Sequence, residues 1–382
     1  MGKYRVAMPV PRPEELRREF LLDPEIVYLD HGAFGACPRP VFERYQAWQR
    51  ELEREPADFS RRRLAGLLNE AREALGAYVG ASGDDLAFVP NATNGVNLAA
   101  RSLELRPGDE VLATNLEYGA CDLAWEWVCE RVGATYVRAE IPVPLSGPDE
   151  VIEALFARQT ERTRAVFVSH VTSATAIILP VSSIVERARA DGLFTVVDGA
   201  HAPGHVPLDL DGLGADFYSG NCHKWLCAPK GAGFLHTRAE RQERVDGAIV
   251  GWGYEPGTGF SQRLERQGTR DLAAWLAVPD AIGYQAEREW DLVRVRCRAL
   301  AREAQAELCT TLGTAPLAPH EMLGQMATVR LPDPDPDLAD RLFAEHRIEI
   351  PVLEPGFDHL RLSAAAYTTR DEVGRLLSAL AR

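Results

Sequence analysis

The stretch Phe194-Thr195-Val196-Val197-Asp198-Gly199-Ala200-His201 (FTVVDGAH) is a β-branched, apolar run that ends in an acid, a glycine and a histidine. Seven such runs, bounded by turn residues, alternate with amphipathic stretches, and they lie at 86–89, 110–114, 135–141, 165–170, 194–201, 216–220 and 231–237. This alternation is typical of a mostly parallel, doubly wound sheet covered by helices on both faces. The sequence therefore predicts an α/β fold whose ligands bind beyond the carboxyl ends of the strands.

The remaining sequence predicts a second domain and an arm. A helical stretch from Asp271 to about Leu312 leads out of the sheet region, and two strand-like runs follow it, MATVRL at 326–331 and HLRLSA at 359–364. These features indicate a smaller α+β domain, and a chain of 382 residues is long enough for one large and one small domain. The predicted division is an N-terminal arm at 1–24, a large domain at 25–285 and a small domain, to which the arm contributes, at 286–382.

Composition and charge narrow the class of protein. The 56 acidic side chains exceed the 42 lysines and arginines, for a formal charge of -14, and no basic block offsets them. This balance argues against nucleic acid as a partner. No segment approaches the roughly 20 apolar residues of a membrane span, and the N-terminus shows no apolar leader. Seven scattered cysteines are unlike a disulfide framework. We therefore expect a cytoplasmic protein with no membrane partner.

Two residues in neighbouring loops need an explanation. Asp198 closes a buried strand, where a carboxylate without a cationic partner is costly. Lys224 stands in SGNCHKWLCAPKG at 219–231, and an ammonium is costly to bury unless its pKa falls. Both are explained if Asp198 meets the protonated ring nitrogen of pyridoxal phosphate while Lys224 holds the cofactor aldehyde as a Schiff base. An exposed lysine would leave Asp198 unpaired.

Two further interpretations stay open at this point. The loop 91–97 follows a strand, and its hydroxyl and free N–H groups at a helix start would suit a phosphate. An ordinary N-cap by Thr93 or Asn94 explains the same loop. A metal could also neutralise Asp198, but the spacing of the nearby ligand types fits no familiar zinc site. Those ligand types are Asp198, His201, His205 and His223.

Four motifs together resemble the class V aminotransferase group of fold-type I pyridoxal-phosphate enzymes, and within it the isopenicillin N epimerase-like branch. They are Asn91–Asn97, Ser169–Ser173, Asp198–His201 and Asn221–Lys224. The resemblance runs from about Tyr28 to Thr369. It implies a large cofactor-binding domain and a homodimer with shared active sites.

The resemblance also implies a role for each matching position. Lys224 would hold the cofactor, Asp198 would pair with its ring nitrogen, and His201 would lie near its phenolic oxygen. The ring of Tyr118 would stack on the cofactor, and Thr269 would reach the phosphate from the other subunit. The full set of cofactor-binding positions is Ala92, Thr93, Tyr118, Ser173, Asp198, His201, Asn221, His223, Lys224 and Thr269.

The expected substrate is an amino acid or a peptide-like molecule with a free α-amino-acid end. Arg361 matches an arginine that forks the substrate α-carboxylate in the family, and a planar guanidinium suits a carboxylate bidentately. Lys224 would remove the proton from Cα. Epimerisation needs a second acid across the ring, for which Tyr118 is a candidate, although a purely stacking role also explains this residue.

Departures from related enzymes narrow the reaction. Cysteine desulfurases of this class carry a reactive cysteine shortly before the carboxylate-binding arginine, whereas residues 348–359 contain none. Ser173 stands where desulfurases tend to have asparagine. We therefore expect an epimerase or C–S lyase, with a class V aminotransferase as the alternative and a desulfurase disfavoured. Two alternatives belong to other functional classes. One is a non-catalytic binding protein of the same fold, and the other is a metal hydrolase.

Overall fold

The structure is a computed structural model, and it describes residues 10–353 and 358–381. Residues 1–9 of the predicted arm therefore lie outside the described residues. The strands are β1 Val27–Tyr28, β2 Leu86–Val89, β3 Glu110–Thr114, β4 Thr135–Ala139, β5 Thr163–Ser169, β6 Phe194–Gly199, β7 Phe217–Asn221, β8 Gly233–Thr237, β9 Met326–Arg330, β10 Ile348–Glu349, β11 Val352–Leu353 and β12 His359–Ser363.

Helices connect and cover these strands. The α-helices are α1 Pro13–Arg17, α2 His31–Phe34, α3 Arg39–Arg54, α4 Pro56–Asp58, α5 Leu64–Val79, α6 Ala92–Ser102, α7 Gly119–Val132, α8 Pro148–Phe156, α9 Val181–Ala190, α10 Leu210–Leu213, α11 Phe260–Glu265, α12 Ala273–Leu276, α13 Val278–Ala286, α14 Trp290–Leu312, α15 Leu338–His346 and α16 Arg370–Leu380. One π-helical segment joins α4 to α5 at Phe59–Arg63. Short 3-10 turns lie at Gly83–Asp85, Ala239–Arg244, Trp252–Tyr254 and His320–Met322.

A seven-stranded sheet forms the centre of the molecule. Its order is β2-β8-β7-β6-β5-β3-β4. The strands from β7 to β4 pair in parallel, whereas β8 pairs antiparallel with both β7 and β2. The α/β class and the mostly parallel sheet are thus confirmed. Each of the seven apolar runs is a strand, although the run 135–141 ends at Ala139 and the run 165–170 begins earlier, at Thr163.

Apart from the edge strand β4, the sheet is buried on both faces, as its apolar strands predict. Side chains alternate between the faces of a strand, so Val196 and Val197 of β6 belong to different core clusters. Val196 packs on the side of α6 and α7, and Val197 packs on the side of α5, α8 and α9. Burying both faces removes water from the sheet and leaves its carboxyl edge as the place where polar side chains gather.

Two smaller sheets involve the C-terminal part of the chain. Strands β11, β12 and β9 form an antiparallel sheet, and β1 pairs in parallel with β10, so that Val27 faces Ile348. The helical stretch predicted from Asp271 is divided into α12, α13 and α14. Pro279 begins α13, where its missing N–H is tolerated, and Glu289 takes a left-handed φ of 50° before α14. The exact domain bounds stay a prediction.

Within the described residues, no helix combines the length and the apolar character that a membrane crossing requires.

Candidate active site

The candidate site lies at the carboxyl ends of three neighbouring parallel strands. Ser169 ends β5 beside Asp198 of β6, and Asp198 in turn lies opposite Ser219 of β7. Lys224 follows β7 within the next turn. The parallel arrangement therefore brings Asp198 and Lys224 to one edge of the sheet, as the sequence predicts.

Asp198 is buried and forms no direct ion pair with any of the described residues. Its side chain is 4% exposed, and its carboxylate accepts hydrogen bonds from the Ala200 N–H at 2.8 Å and from the Cys121 thiol at 3.5 Å. None of the ion pairs formed by residues 10–353 and 358–381 includes it. Burial raises the pKa of Asp198, and the Ala200 hydrogen bond and the charge of Lys224 oppose that rise. A cation that entered this edge would meet a carboxylate already fixed in place.

Lys224 is an amine whose surroundings favour its neutral form. Its Nζ atom lies 3.3 Å from Nε2 of His201. Burial and, after it, the charge of Arg361 lower the pKa of Lys224 to about 8, while Asp198 and Asp30 oppose the change. At pH 7 the neutral fraction is then roughly 300-fold larger than for an ordinary lysine. The side chain is therefore suited to act as a nucleophile and as a base.

The histidines around Lys224 are neutral. His31, His205 and His223 have pKa values lowered by burial, to about 3, about 3 and about 4. Each ring is held by the main chain. His31 contacts the Lys224 carbonyl at 3.1 Å, His205 contacts the His201 carbonyl at 3.1 Å, and His223 contacts the Ala232 carbonyl at 3.1 Å. These rings fix the loop without adding positive charge to it.

The loop before α6 has the features of an anion site at a helix N-terminus. Asn91 caps the helix by accepting from the Asn94 N–H at 2.9 Å. Asn221 accepts from the Ala92 N–H at 2.8 Å and so ties this helix start to the end of β7. The hydroxyl of Thr93 has no hydrogen-bond partner among the described residues. The cap is thus Asn91, and neither Thr93 nor Asn94 as the alternative interpretation had it. This cap leaves room for an anion at the same helix start, because it uses the Asn94 N–H alone.

Arg361 lies buried on the other side of the site. Its Nη1 donates to the Ser173 carbonyl at 2.8 Å and to the Ser173 hydroxyl at 3.2 Å, and its Nη2 contacts Asp30 at 3.2 Å. Its Nε is buried and has no partner among the described residues. Burial raises the pKa of Asp30 to about 6, against the charge of Arg361. Ser173 therefore contacts the predicted substrate arginine.

Tyr118 and Thr269 differ in how they relate to this site. Tyr118 precedes α7, whose first turn carries Cys121 to Asp198, and its ring is 45% exposed. Thr269 is exposed after Gly268, which has a φ of 91°, and no described contact joins it to the other predicted residues. The chain alone thus brings together the predicted positions except Thr269, for which the resemblance implies a second subunit.

Sequence reasoning missed several polar groups of the site. Glu117 is buried and accepts from Thr114 at 2.5 Å and from the Ser169 hydroxyl at 2.6 Å. Burial raises its pKa to about 8, so it is largely protonated at neutral pH. Asp30 was missed as well. Both acids follow strands directly in the sequence, and this position was the signal that could have identified them.

The four ligand types around Asp198 do not gather as a metal site. Among the described residues, three metal-ligating side chains bring their atoms within 4.8 Å of one another only at Asp85, Asp211 and His236. That group lies near the antiparallel edge of the sheet, since His236 of β8 pairs with Leu86 of β2. The metal interpretation therefore has no support at Asp198.

The donor set fits pyridoxal phosphate. The ring nitrogen of this cofactor needs a carboxylate, its aldehyde needs an unprotonated amine, and its phosphate needs N–H groups at a helix start. Asp198 supplies a buried carboxylate with no ion-pair partner among the described residues, and Lys224 supplies an amine with a lowered pKa. The start of α6 supplies a helix N-terminus with the Thr93 hydroxyl, although the Ala92 N–H there already donates to Asn221. The residues present therefore satisfy the chemistry of the cofactor.

Comparisons with known proteins agree with this fit. Residues 27–376 match the family described as Aminotransferase class-V. The chain is 41% identical to an isopenicillin N epimerase of Streptomyces clavuligerus over 96% of this chain and 97% of that protein. It is 28% identical to a putative L-cysteine desulfhydrase of Oryza sativa subsp. japonica over 96% and 87%. Its fold is similar to C-DES with glycine covalently linked to the PLP cofactor, with a TM-score of 0.84, 22% identity, and 96% and 98% coverage.

Proposed function

The chain belongs to the class V aminotransferase family of pyridoxal-phosphate enzymes, and from this premise we propose that it epimerises the Cα centre of an amino-acid or peptide-like substrate. The observation that carries the proposal is that two unusual groups lie at the same sheet edge. They are Lys224, an amine of lowered pKa, and Asp198, a buried acid with no ion-pair partner among the described residues. The likeness to isopenicillin N epimerases over nearly the whole chain favours epimerisation among the reactions that these residues could serve.

When bound, pyridoxal phosphate supplies a conjugated ring that accepts the electron pair left when a proton departs from Cα. The protein residues prepare that step. Asp198 would keep a proton on the ring nitrogen of the bound cofactor, and His201 would donate toward its phenolic oxygen. Ala92, Thr93, Asn221 and His223 hold the phosphate. Lys224 binds the cofactor between turnovers and takes the proton from Cα as a neutral base.

Arg361 would orient the substrate through its α-carboxylate, and Tyr118 would border the same site. The Nε of Arg361 is buried and free of partners in the described chain, so it and Nη2 form the fork for an α-carboxylate. Ser173 holds the other guanidinium nitrogen in place. With the cofactor bound, the Tyr118 ring would stack on it; alternatively, its hydroxyl is our candidate for the second acid that epimerisation needs.

A C–S lyase is the second candidate, supported by the relative described as a putative L-cysteine desulfhydrase. Loss of a sulfur substituent from the carbon next to Cα would use the same proton removal by Lys224. A class V aminotransferase ranks behind both reactions, and the absence of cysteine at 348–359 disfavours a desulfurase. The non-catalytic interpretation leaves the lowered pKa of Lys224 without a use.

The proposed assembly is a cytoplasmic homodimer whose two active sites each receive Thr269 from the partner subunit. An exposed apolar group in the segment before Thr269 supports an interface there, since monomers rarely expose such patches. Its members are Ile249 (48% exposed), Val250 (79%) and Trp252 (74%). Light scattering of the purified protein tests the dimer. A monomer at all concentrations would exclude a shared site.

The reaction is tested by incubating the holoenzyme in deuterated water with L- and D-amino acids and with peptides bearing a free α-amino-acid end. Deuterium entering Cα together with inversion, measured by mass spectrometry and chiral chromatography, is the expected result. Released sulfide would identify the lyase, and a keto acid would identify the aminotransferase. Lys224→Ala is the inactive control, and Lys230→Ala, in the same loop, is the matched variant that keeps the reaction.

A further inference from the structure

Each ring nitrogen of His201 faces a nitrogen atom of another side chain. The indole Nε1 of Trp225 lies 3.4 Å from its Nδ1, and the Nζ of Lys224 lies 3.3 Å from its Nε2. The His201 side chain is 3% exposed, so water is largely excluded from both nitrogens. The way its one proton is placed therefore depends on these two neighbours.

The indole decides the placement because it can only donate. A neutral imidazole carries one N–H, so a nitrogen that accepts from Trp225 leaves the proton on the other nitrogen. Burial and the charges of Lys224 and Arg361 lower the pKa of His201 well below its usual range, which keeps the ring neutral. The proton of His201 then resides on Nε2 and points toward Lys224.

The packing around Trp225 holds this arrangement. The indole is 2% exposed and lies against the rings of His31 and His205, with centroids 4.9 and 4.5 Å away. Gln285 donates to the Trp225 carbonyl at 2.8 Å, and Nδ1 of His205 lies 3.1 Å from the His201 carbonyl. Both members of the contact are thus fixed by groups outside it.

We propose that Trp225 is a positioning residue that keeps His201 in its Nε2–H form, so that this ring donates to the neutral amine of Lys224 and to the cofactor. The part of the proposal that concerns the cofactor rests on the proposed function. The part that concerns the tautomer rests on the contacts of His201 within this chain and does not depend on the reaction. An Nε2–H beside the amine favours its unprotonated form, because an ammonium has no lone pair to accept with. Without the indole, the Nδ1–H form becomes accessible, and its bare Nε2 would accept from an ammonium.

The first test needs neither a variant with altered folding nor the cofactor. Nitrogen-15 NMR of the apoprotein reports which imidazole nitrogen carries the proton, and the His201 signals are those that disappear in His201→Gln. At pH 9, where the Lys224 amine with its pKa of about 8 is mostly neutral, the expected result is a protonated Nε2 and an unprotonated Nδ1. A protonated Nδ1 in the wild-type protein would overturn the proposal. This outcome is independent of whether the chain is an epimerase.

The second test separates positioning from packing. Trp225→Phe is made in the wild-type chain and in His201→Gln, whose amide N–H₂ donates whatever the indole does. In the wild-type background we expect the pH midpoint of the cofactor absorption change to rise by about one unit. In the His201→Gln background we expect no shift. Equal shifts in both backgrounds would reduce Trp225 to a packing residue. Wild-type protein without any cofactor band, yet with Nε2–H by NMR, would refute the proposed function and leave the tautomer assignment intact.

Discussion

Two buried acids of the candidate site have opposite surroundings. Asp30 is 5% exposed and lies 3.2 Å from the guanidinium of Arg361. Asp198 is 4% exposed, yet it takes part in no ion pair among the described residues. Each acid lies at or just beyond the carboxyl end of a strand, Asp198 within β6 and Asp30 after β1. Only the structure shows that one has its cation within the chain and the other does not.

The difference separates an acid whose charge is balanced by another residue of the chain from an acid whose charge a bound ligand would balance. Burying a carboxylate without a cation is costly, and a fold retains such an acid when a bound group repays the loss. Asp30 and Arg361 satisfy each other until a substrate carboxylate competes. Asp198 has no ion-pair partner among the described residues, and we propose that the ring nitrogen of pyridoxal phosphate is that partner. The experiments below test this contrast and the residues on which it depends.

Replacing Lys224 should have the largest effect. Lys224→Ala removes both the covalent anchor and the base, and we expect epimerisation to fall by roughly 10³- to 10⁴-fold. Initial rates with saturating cofactor measure the loss. Lys230→Ala is the control, because its amine is on the same loop and donates to the Gly35 carbonyl at 3.1 Å. Comparable losses in both variants would mean that the loop, and not the Lys224 amine, is required.

Asp198→Asn should have effects of opposite sign in the apoprotein and in the holoenzyme. Breaking a buried ion pair costs about 3–5 kcal/mol, so activity should fall by roughly 10²- to 5 × 10³-fold. The folded-state pKa of Asp198 is raised, so the carboxylate lowers the stability of the apoprotein as pH rises above its unfolded value. At pH 7 the variant apoprotein should therefore melt higher.

Asp30→Asn is the matched variant for that melting experiment. The pKa of Asp30 is also raised, to about 6, but this substitution leaves the buried guanidinium of Arg361 without its carboxylate, which costs more than the loss of the Asp30 charge returns. Calorimetry of the apoprotein should therefore show an unchanged or lower melting temperature. A lower melting temperature for Asp198→Asn as well would contradict the contrast between the two acids.

Arg361→Lys should act mainly on substrate binding. The change keeps the charge but removes the fork, and a hydrogen bond to a charged group is worth about 1.5–3 kcal/mol. We expect KM for carboxylate substrates to rise roughly 10- to 100-fold, with a smaller fall in kcat. Steady-state kinetics with a substrate and its α-amide provide the test. If the amide suffers equally, Arg361 does not read the carboxylate.

Cofactor uptake should depend on pH through the Lys224 amine. With the pKa of Lys224 lowered to about 8, the neutral fraction grows roughly tenfold from pH 7 to pH 9 and then levels off. Stopped-flow absorbance of apoprotein mixed with pyridoxal phosphate measures the rate. A rate that still climbs steeply above pH 9 would indicate an ordinary, exposed lysine.

Asp30→Asn should have the smallest kinetic effect. Asp30 holds Arg361 until a substrate carboxylate arrives, and removing its charge removes that competition. We expect KM to fall by about two- to five-fold. Neutralising Asp30 by lowering the pH toward its pKa of about 6 should have the same sign in the wild-type chain. A higher KM for the variant would show that Asp30 orients Arg361 for the substrate.

The sheet could be predicted from the sequence because its strands are buried on both faces. Runs such as EVLAT and FTVVDG are mostly apolar and β-branched, and this signal is local. The break before α14 could not be predicted, since Glu289 adopts a left-handed conformation that glycine or asparagine would ordinarily mark. The pairing of Val27 with Ile348 was hidden as well, because it joins residues far apart in the chain.

The candidate catalytic residues were predictable where a family motif coincides with a charged residue in a setting that should bury it. Asp198 and Lys224 stand out as charged residues in apolar or glycine-rich settings, and the structure brings them to one sheet edge. The partners of these residues were not predictable. Contacts such as Trp225 with His201 and Glu117 with Ser169 depend on side-chain direction, which no spacing in the sequence records.

The central claim is that Lys224 is the amine that holds pyridoxal phosphate. Reducing the purified holoenzyme with borohydride and mapping its peptides by mass spectrometry tests this claim directly. The account predicts one cofactor-derived mass per chain, on the peptide that contains Lys224, with Lys230 unmodified. Modification at another lysine, or none after incubation with the cofactor, would contradict it.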